Sequence, residues 1–266
     1  MSSGPKIRVG IGGWVYPPWR GVFYPRGLRQ ADELAHASRH VTAIEINGTF
    51  YGAQKPASFR RWHDETPEDF VFSVKGPRFA THRSDLAQAG PSIERFFASG
   101  VFELKSKLGP VLWQFPPFKA FEADDFAAFL SLLPHRLEGH PIRHAVEVRH
   151  QSFCVPEFVK LMRKNAVAIA GIESDKHPLI PDVTGDFVYL RLQRTSEEIE
   201  SGYAQPDLAR WAKRAREYAQ GGAPSDLPVL APAPPTKSKR DVFIYMISGA
   251  KVRAPAAAQA LLAQLK

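Results

Sequence analysis

A single cysteine, Cys154, stands in the whole chain, so no intrachain disulfide can form. That suits a reducing compartment, and stability must come from the core. Long apolar runs are also missing, since no window approaches the ~20 residues that a membrane span requires. The first residues, Met1 to Lys6, carry no apolar leader region. The expected location is the cytoplasm, with no membrane partner. There is no P-loop, no Gly-x-Ser-x-Gly nucleophile elbow and no zinc-finger spacing. Most histidines fall in expected helices and loops, so the sequence gives little support to a metal centre and implies no cofactor. His82 and His150 are the two nearest the expected site. Cys154 follows His150 by four residues, a spacing compatible with a thiolate and its base, but a buried inert thiol is the stronger expectation.

What is present is ordinary in bulk and pointed in arrangement. The 266 residues are 44% hydrophobic and 23% charged, as expected of a globular protein, and fit one α/β barrel. A formal net charge of +8 favours anionic partners, among them phosphates, acidic sugars and nucleic acid. No block of five basic residues occurs, so the charge also fits a basic but unspecialised surface. The densest run, Lys237-Ser238-Lys239-Arg240, follows a proline-rich loop.

Eight short apolar segments recur along the chain: 7–11, 41–46, 70–74, 110–113, 144–148, 166–172, 186–192 and 242–247. Helical spacing separates most of them. Leu28, Ala31, Leu34 and Ala35 share one face, 56–65 forms a second helix, and Ile93 to Leu108 continues a helix from Pro91. Helices are also expected at 124–133, 155–162, 206–220 and from Ala254-Pro255 onward. Residues 173–185 hold Pro178, Pro181 and Gly185, so no full helix is expected after the sixth strand. Strands alternating with helices pair in parallel, and eight such units imply a single-domain (β/α)8 TIM-type barrel. An open doubly wound sheet is the alternative. It would need a glycine turn running directly into a helix, whereas Trp14 to Pro25 intervenes after Gly12-Gly13.

Barrel enzymes carry their reacting groups at the carboxyl ends of the strands. Here those ends hold Trp14, Glu45 with Asn47, Lys75, Gln114, Glu147 with Arg149, Glu173 with Asp175, Arg191 with Arg194, and Ser248. Glu45, Lys75 and Glu147 are the catalytic candidates, with a glutamate as acid or base. Trp14, Tyr16, Asn47, Gln114, Arg149 and Arg191 are binding candidates. Arg191, Ser248, Gly249 and Lys251 form a candidate anion site beside the last helix. Purely structural pairs, Glu147 with Arg149 and Glu45 with Lys75, are the alternative. The aromatics of 14–25 serve either as the floor of a pocket or as a plug, and loops 14–25 and 221–240 are both candidates to cover the cleft.

Gly12-Gly13-Trp14-Val15-Tyr16, Trp19 through Pro25, Glu45 through Tyr51, Phe72-Ser73-Val74-Lys75, Gln114-Phe115-Pro116-Pro117 and Glu147-Val148-Arg149-His150 together resemble the YecE-like family, domain of unknown function family 72. The resemblance implies one TIM-type barrel and supplies no substrate. Gln193-Arg194 stands where many relatives have His-Gly, and Ile247-Ser248-Gly249 where many have Phe-Asn-Asn. Three functions follow as expectations. The first is an enzyme, a hydrolase or lyase working without a metal on a small phosphorylated or sugar-acid ligand. The second, with weaker support, is a nuclease or nucleic-acid-binding protein. The third is a non-catalytic metabolite-binding or scaffold protein. Oligomeric state is not readable.

Overall fold

Eight buried runs close into one all-parallel barrel in the computed structural model, which describes residues 4–233 and 238–266. The strands are β1 (Ile7–Gly12), β2 (Ala43–Ile46), β3 (Val71–Lys75), β4 (Leu108–Gln114), β5 (His144–Glu147), β6 (Ala168–Glu173), β7 (Phe187–Leu192) and β8 (Asp241–Met246). They pair in sequence order around the ring, and β8 returns to β1. The strands are apolar on both sides because helices cover the outer face while side chains fill the pore. The filling is size-matched. Phe187, Tyr189, Phe243 and Tyr245 from β7 and β8 meet the small Ala43, Ala145, Ala168 and Ala170. Gly10 lets β1 approach β2, since a Cβ there would meet the Ala43 carbonyl oxygen at 2.0 Å.

The helices are α1 (Glu33–Ala37), α2 (Gly48–Tyr51), α3 (Pro56–Glu65), α4 (Arg78–Thr81), α5 (Gly90–Phe97), α6 (Ala123–Ser131), α7 (Pro156–Lys164), α8 (Gln205–Ala219) and α9 (Ala254–Leu265). Each of the longer ones turns one apolar stripe inward, as Phe126, Phe129 and Leu130 do from α6. No helix follows β6, as expected. The segment 174–186 is instead held by side chains: Thr184 Oγ1 donates to the Val167 carbonyl at 2.7 Å, and Tyr218 donates to that of Pro181 at 2.9 Å.

Two expected helices are shorter than their spacing implied. The helix read from Pro91 to Leu108 breaks at Gly100, where φ is +95°; 3-10 turns follow over Val101–Lys107, and Leu108 already begins β4. The face read from Leu28 to Ala35 forms only α1, after a 3-10 turn at Gln30–Asp32. Periodicity alone cannot show where a glycine in the left-handed region resets the register.

The described part of loop 221–240 does not cover the strand ends. It packs at the opposite end of the barrel, where Leu230 and Ala231 donate to Asp182 and Arg240 donates to the carbonyls of Gly221 and Gly222. Arg240 is thus a buried brace. Lys237 lies outside the described residues. No described helix is long and apolar enough to cross a membrane.

Candidate functional site

Strands β2, β5 and β7 each end with a charged side chain turned into the pore. Arg191 from β7 is 2% exposed and Glu45 and Glu147 are fully buried. Arg191 Nε and Nη2 donate to the two oxygens of Glu45, both at 3.0 Å, while Nη1 donates to Glu147 Oε2. Tyr189 Oη adds a bond to Glu45 Oε2 at 2.8 Å. Glu147 Oε1 accepts from Arg149 Nε at 2.7 Å and from Gln114 Nε2 at 2.8 Å. Gln114 Oε1 in turn accepts from Lys75 Nζ at 3.0 Å. One continuous network therefore runs from Tyr189 to Lys75 across five strands. Such a cluster is tolerable in a barrel core only because every carboxylate is matched by charged donors.

The two ends of this network differ electrostatically. Although burial alone would raise it, Glu147 is held down to about 2 by Arg191, Arg149 and Lys75. It is a permanent anion at neutral pH. Lys75 moves from 10.5 to about 8, mainly because it is buried and because Arg191 stands near, with Glu45 and Glu147 opposing the shift. Among the described residues no carboxylate pairs with it directly. Its ammonium sits 3.9 Å from the centre of the Phe50 ring, and Gln114 is its hydrogen-bond partner.

Above the network lies an open cavity of about 660 Å³. Trp14, Asn47, Lys75, Gln114, Arg149, Arg191, Ser248 and Lys251, all expected at the site, line it. Glu45 and Glu147 are not in the wall; they act beneath it, through Arg191, Arg149 and Gln114. Tyr16 stands behind the wall, with the Lys251 ammonium 4.5 Å from its ring centre. Gly249 is turned away against Thr195 and the Gln193 carbonyl, at φ +61°. The loop after β8 is thus braced on the loop after β7, and Ala250 N donates to the Thr195 carbonyl at 2.9 Å. Two further corrections concern pairing. Glu45 is the partner of Arg191, not of Lys75. Arg191 uses one N–H of each of its three nitrogens on Glu45 and Glu147, which leaves only its second Nη hydrogens for an anion, and Gly249 does not line the cavity with it. The cavity cations least committed to carboxylates, besides Lys75, are Arg149, which makes its ion pair through Nε, and Lys251, which has no ion pair among the described residues.

Two aromatics of the 14–25 loop face the cavity and another is buried beside them. Trp14 and Trp19 line the cavity, whereas Tyr24 is buried and donates to the Trp14 carbonyl at 2.6 Å. Tyr51, Gln54 and Trp62 also line the cavity and escaped the sequence reading. Trp62 sits at a core-like position on α3, and only its edge contact with Trp14, with centroids 5.1 Å apart, brings it to the wall. His177, from the irregular segment after β6, stands within the field of Arg149 and Glu147; burial and Arg149 hold its pKa below the ordinary histidine range. His82 packs edge-on against Phe50, and burial with Arg78, Lys75 and Arg149 lowers its pKa likewise.

Other candidates resolve as structure. Glu173 accepts from Tyr203 at 2.5 Å and from Trp211 Nε1 at 2.8 Å. His150 bonds Ser152 and caps a turn, and burial raises the Cys154 thiol, so the pair makes no activated nucleophile. His36 with His40 and His140 with His144 do stand four residues apart, a spacing the sequence reading passed over. The first two rings stack on each other at 4.1 Å, and His140 stacks on Phe102. Among the described residues, no three His, Cys, Asp or Glu side chains group as metal ligands.

The family model described as protein of unknown function DUF72 matches residues 8–266. The chain is 29% identical over 148 residues to UPF0759 protein YecE of Escherichia coli K12, covering 55% of this chain and 50% of that one. It is 29% identical over 157 residues to UPF0759 protein YunF of Bacillus subtilis strain 168, covering 57% and 54%. It thus spans about half the length of the curated relatives it matches. Among solved structures, a DUF72 family protein from Thermotoga maritima aligns with a TM-score of 0.71 at 22% identity, covering 97% of both chains. D-psicose 3-epimerase, solved in the presence of D-fructose, aligns at 0.52 and 11%, again covering 97% of both. These likenesses show a shared barrel fold, and the match along almost the entire sequence shows that the chain belongs to the DUF72 family of proteins of unknown function.

Proposed function

We propose that the chain is an enzyme acting on a small anionic molecule, of the phosphorylated or sugar-acid kind, held in the strand-end cavity. One observation carries this reading. The wall contains Lys75, Arg149, Arg191 and Lys251 and no carboxylate. Arg149 and Lys251 hold the anion, and Trp14, Tyr51 and Trp62 offer apolar faces to its body. The volume suits a small ligand. Side chains supply positive charge where a resident metal would need carboxylates or imidazoles in the wall.

The proton-moving role passes from the glutamates to Lys75. Both glutamates are engaged by Arg191 beneath the cavity, which does not favour two-carboxylate glycoside hydrolysis. Lys75 changes charge at about pH 8 and stands in the wall. Glu45 and Glu147 keep Arg191, Arg149 and Gln114 in place.

The test is calorimetric binding of a panel of sugar phosphates, sugar acids and the matching neutral sugars. Anionic members are expected to bind, and Arg149→Met or Lys251→Met to weaken them about tenfold or more, as for loss of a charged hydrogen bond. Equal binding of neutral sugars, or affinities unmoved by both substitutions, would overturn the proposal.

A further inference from the structure

We infer that Lys75 is a covalent amine: it condenses with the carbonyl group of an oxo-bearing anion held in the cavity and forms an imine. The inference rests on the anion-binding reading above and narrows the ligand to anions that also carry an aldehyde or ketone.

The geometry is unusual for a lysine. Lys75 is 5% exposed, yet its side chain ends in the cavity wall. Structural buried lysines hold carboxylates or several carbonyls, as Lys107 does here by donating to the carbonyls of His63 and Thr66 and to Thr66 Oγ1. Lys75 makes one neutral hydrogen bond, to Gln114 Oε1, and lies against the face of Phe50. The nearby anions, Glu45 and Glu147, are both bound by Arg191 instead. The ammonium is thus desolvated without an ion pair, the condition that exposes a nucleophilic lone pair at neutral pH. Burial is the largest influence toward the neutral amine, Arg191 on β7 and Arg149 just after β5 act in the same direction, Glu45 and Glu147 oppose it, and His82 after α4 has its own pKa lowered by burial, Arg78, Lys75 and Arg149.

The step balances without an added oxidant or reductant. The amine lone pair attacks the carbonyl carbon, and a carbon–nitrogen bond forms. The two amine protons pass to the carbonyl oxygen, the carbon–oxygen bond breaks, and water leaves. Protonation of the imine then makes the former carbonyl carbon an electron sink for bond cleavage or proton loss at the adjacent carbon. Arg149 and Lys251 would fix the substrate through its carboxylate or phosphate, and Arg191, held by two glutamates, keeps the protonated imine from being over-stabilised by a free carboxylate.

The probe is glyoxylate, an aldehyde carrying a carboxylate, with sodium cyanoborohydride to reduce any imine to carboxymethyl-lysine for peptide mapping. Lys75 is expected to be modified roughly tenfold or more faster than any other lysine near neutral pH, since a pKa lowered to about 8 leaves far more free amine than an ordinary lysine has. Inorganic phosphate is expected to slow that modification, and Lys75→Arg, which keeps a cation, to remove it. Phosphate-induced thermal stabilisation, measured on the same preparation, separates the two proposals. Stabilisation by phosphate with label confined to other lysines overturns the imine and leaves the anion site standing. Neither stabilisation nor Lys75 labelling overturns both.

Discussion

Arg191→Leu is expected to destabilise the barrel by about 3–5 kcal/mol, the range for removing one partner of a buried charge network. The substitution keeps much of the volume but leaves Glu45 and Glu147, both fully buried, without the cation they share. Arg149 still covers one oxygen of Glu147, and Tyr189 one of Glu45. The remaining charge must be protonated or hydrated, and either costs folding energy. Urea unfolding checks this through a lower midpoint with an unchanged slope. Adding Glu45→Gln and Glu147→Gln to Arg191→Leu should restore much of the loss, because the orphaned charges are then gone. An Arg191→Leu protein with the parent midpoint would show that the network does not hold the strand ends. The same logic gives a pH window. The Glu147 carboxyl lies near 2 in the fold against 4.5 outside it, so its contribution is complete above about pH 4.5 and is lost as the pH falls toward 2. Without Arg191, acid unfolding should begin at higher pH.

Lys75→Met should behave in the opposite way: near-neutral for stability and ruinous for chemistry. The cluster holds three cations, Lys75, Arg149 and Arg191, against two carboxylates, so one positive charge is in excess while Lys75 is protonated. Removing that charge relieves desolvation but strips Gln114 Oε1 of a donor, and these effects are each of order 1–3 kcal/mol and opposed in sign. The expected net change is within about 1 kcal/mol. The pH signature is sharper. A lysine pKa depressed to about 8 from 10.5 means that the folded chain holds the proton less tightly than the unfolded one. The parent should therefore gain stability relative to Lys75→Met as the pH rises from about 8 to 10.5. Carbonyl reactivity and any turnover should fall to background in the variant while anion affinity persists. A Lys75→Met protein that loses several kcal/mol and keeps its turnover would make Lys75 a structural prop.

The barrel was legible because its evidence is repeated. Eight apolar runs with polar ends admit few alternatives, and the proline-bearing stretch after Glu173 correctly denied a helix there. The polar strand ends likewise identified the four charged side chains of the cavity wall, Lys75, Arg149, Arg191 and Lys251. What the sequence withheld was partnership. The strand-end positions of Glu45 and Arg191 carried no information about which cation meets which carboxylate. In a closed ring, β7 reaches β2 across the pore, and only the filled interior decides that Arg191 takes both glutamates while Lys75 is left with an amide. Gly249 misled for a local reason. A glycine near a helix amino end suits an anion nest, yet this one faces Thr195 because its positive φ turns the loop back on its neighbour. Trp62 was invisible for the converse reason: a tryptophan on the inner stripe of a helix reads as core until another tryptophan, Trp14, is seen to hold it at the rim.

In the proposed site the strand-end cavity holds an anion through Arg149 and Lys251, with Lys75 as the amine beside it. Diffraction from crystals grown with inorganic phosphate at neutral pH tests it most directly. Phosphate is expected inside the cavity, within hydrogen-bonding distance of Arg149 Nη and Lys251 Nζ. Phosphate bound on the outer helices while the cavity holds only water would contradict it.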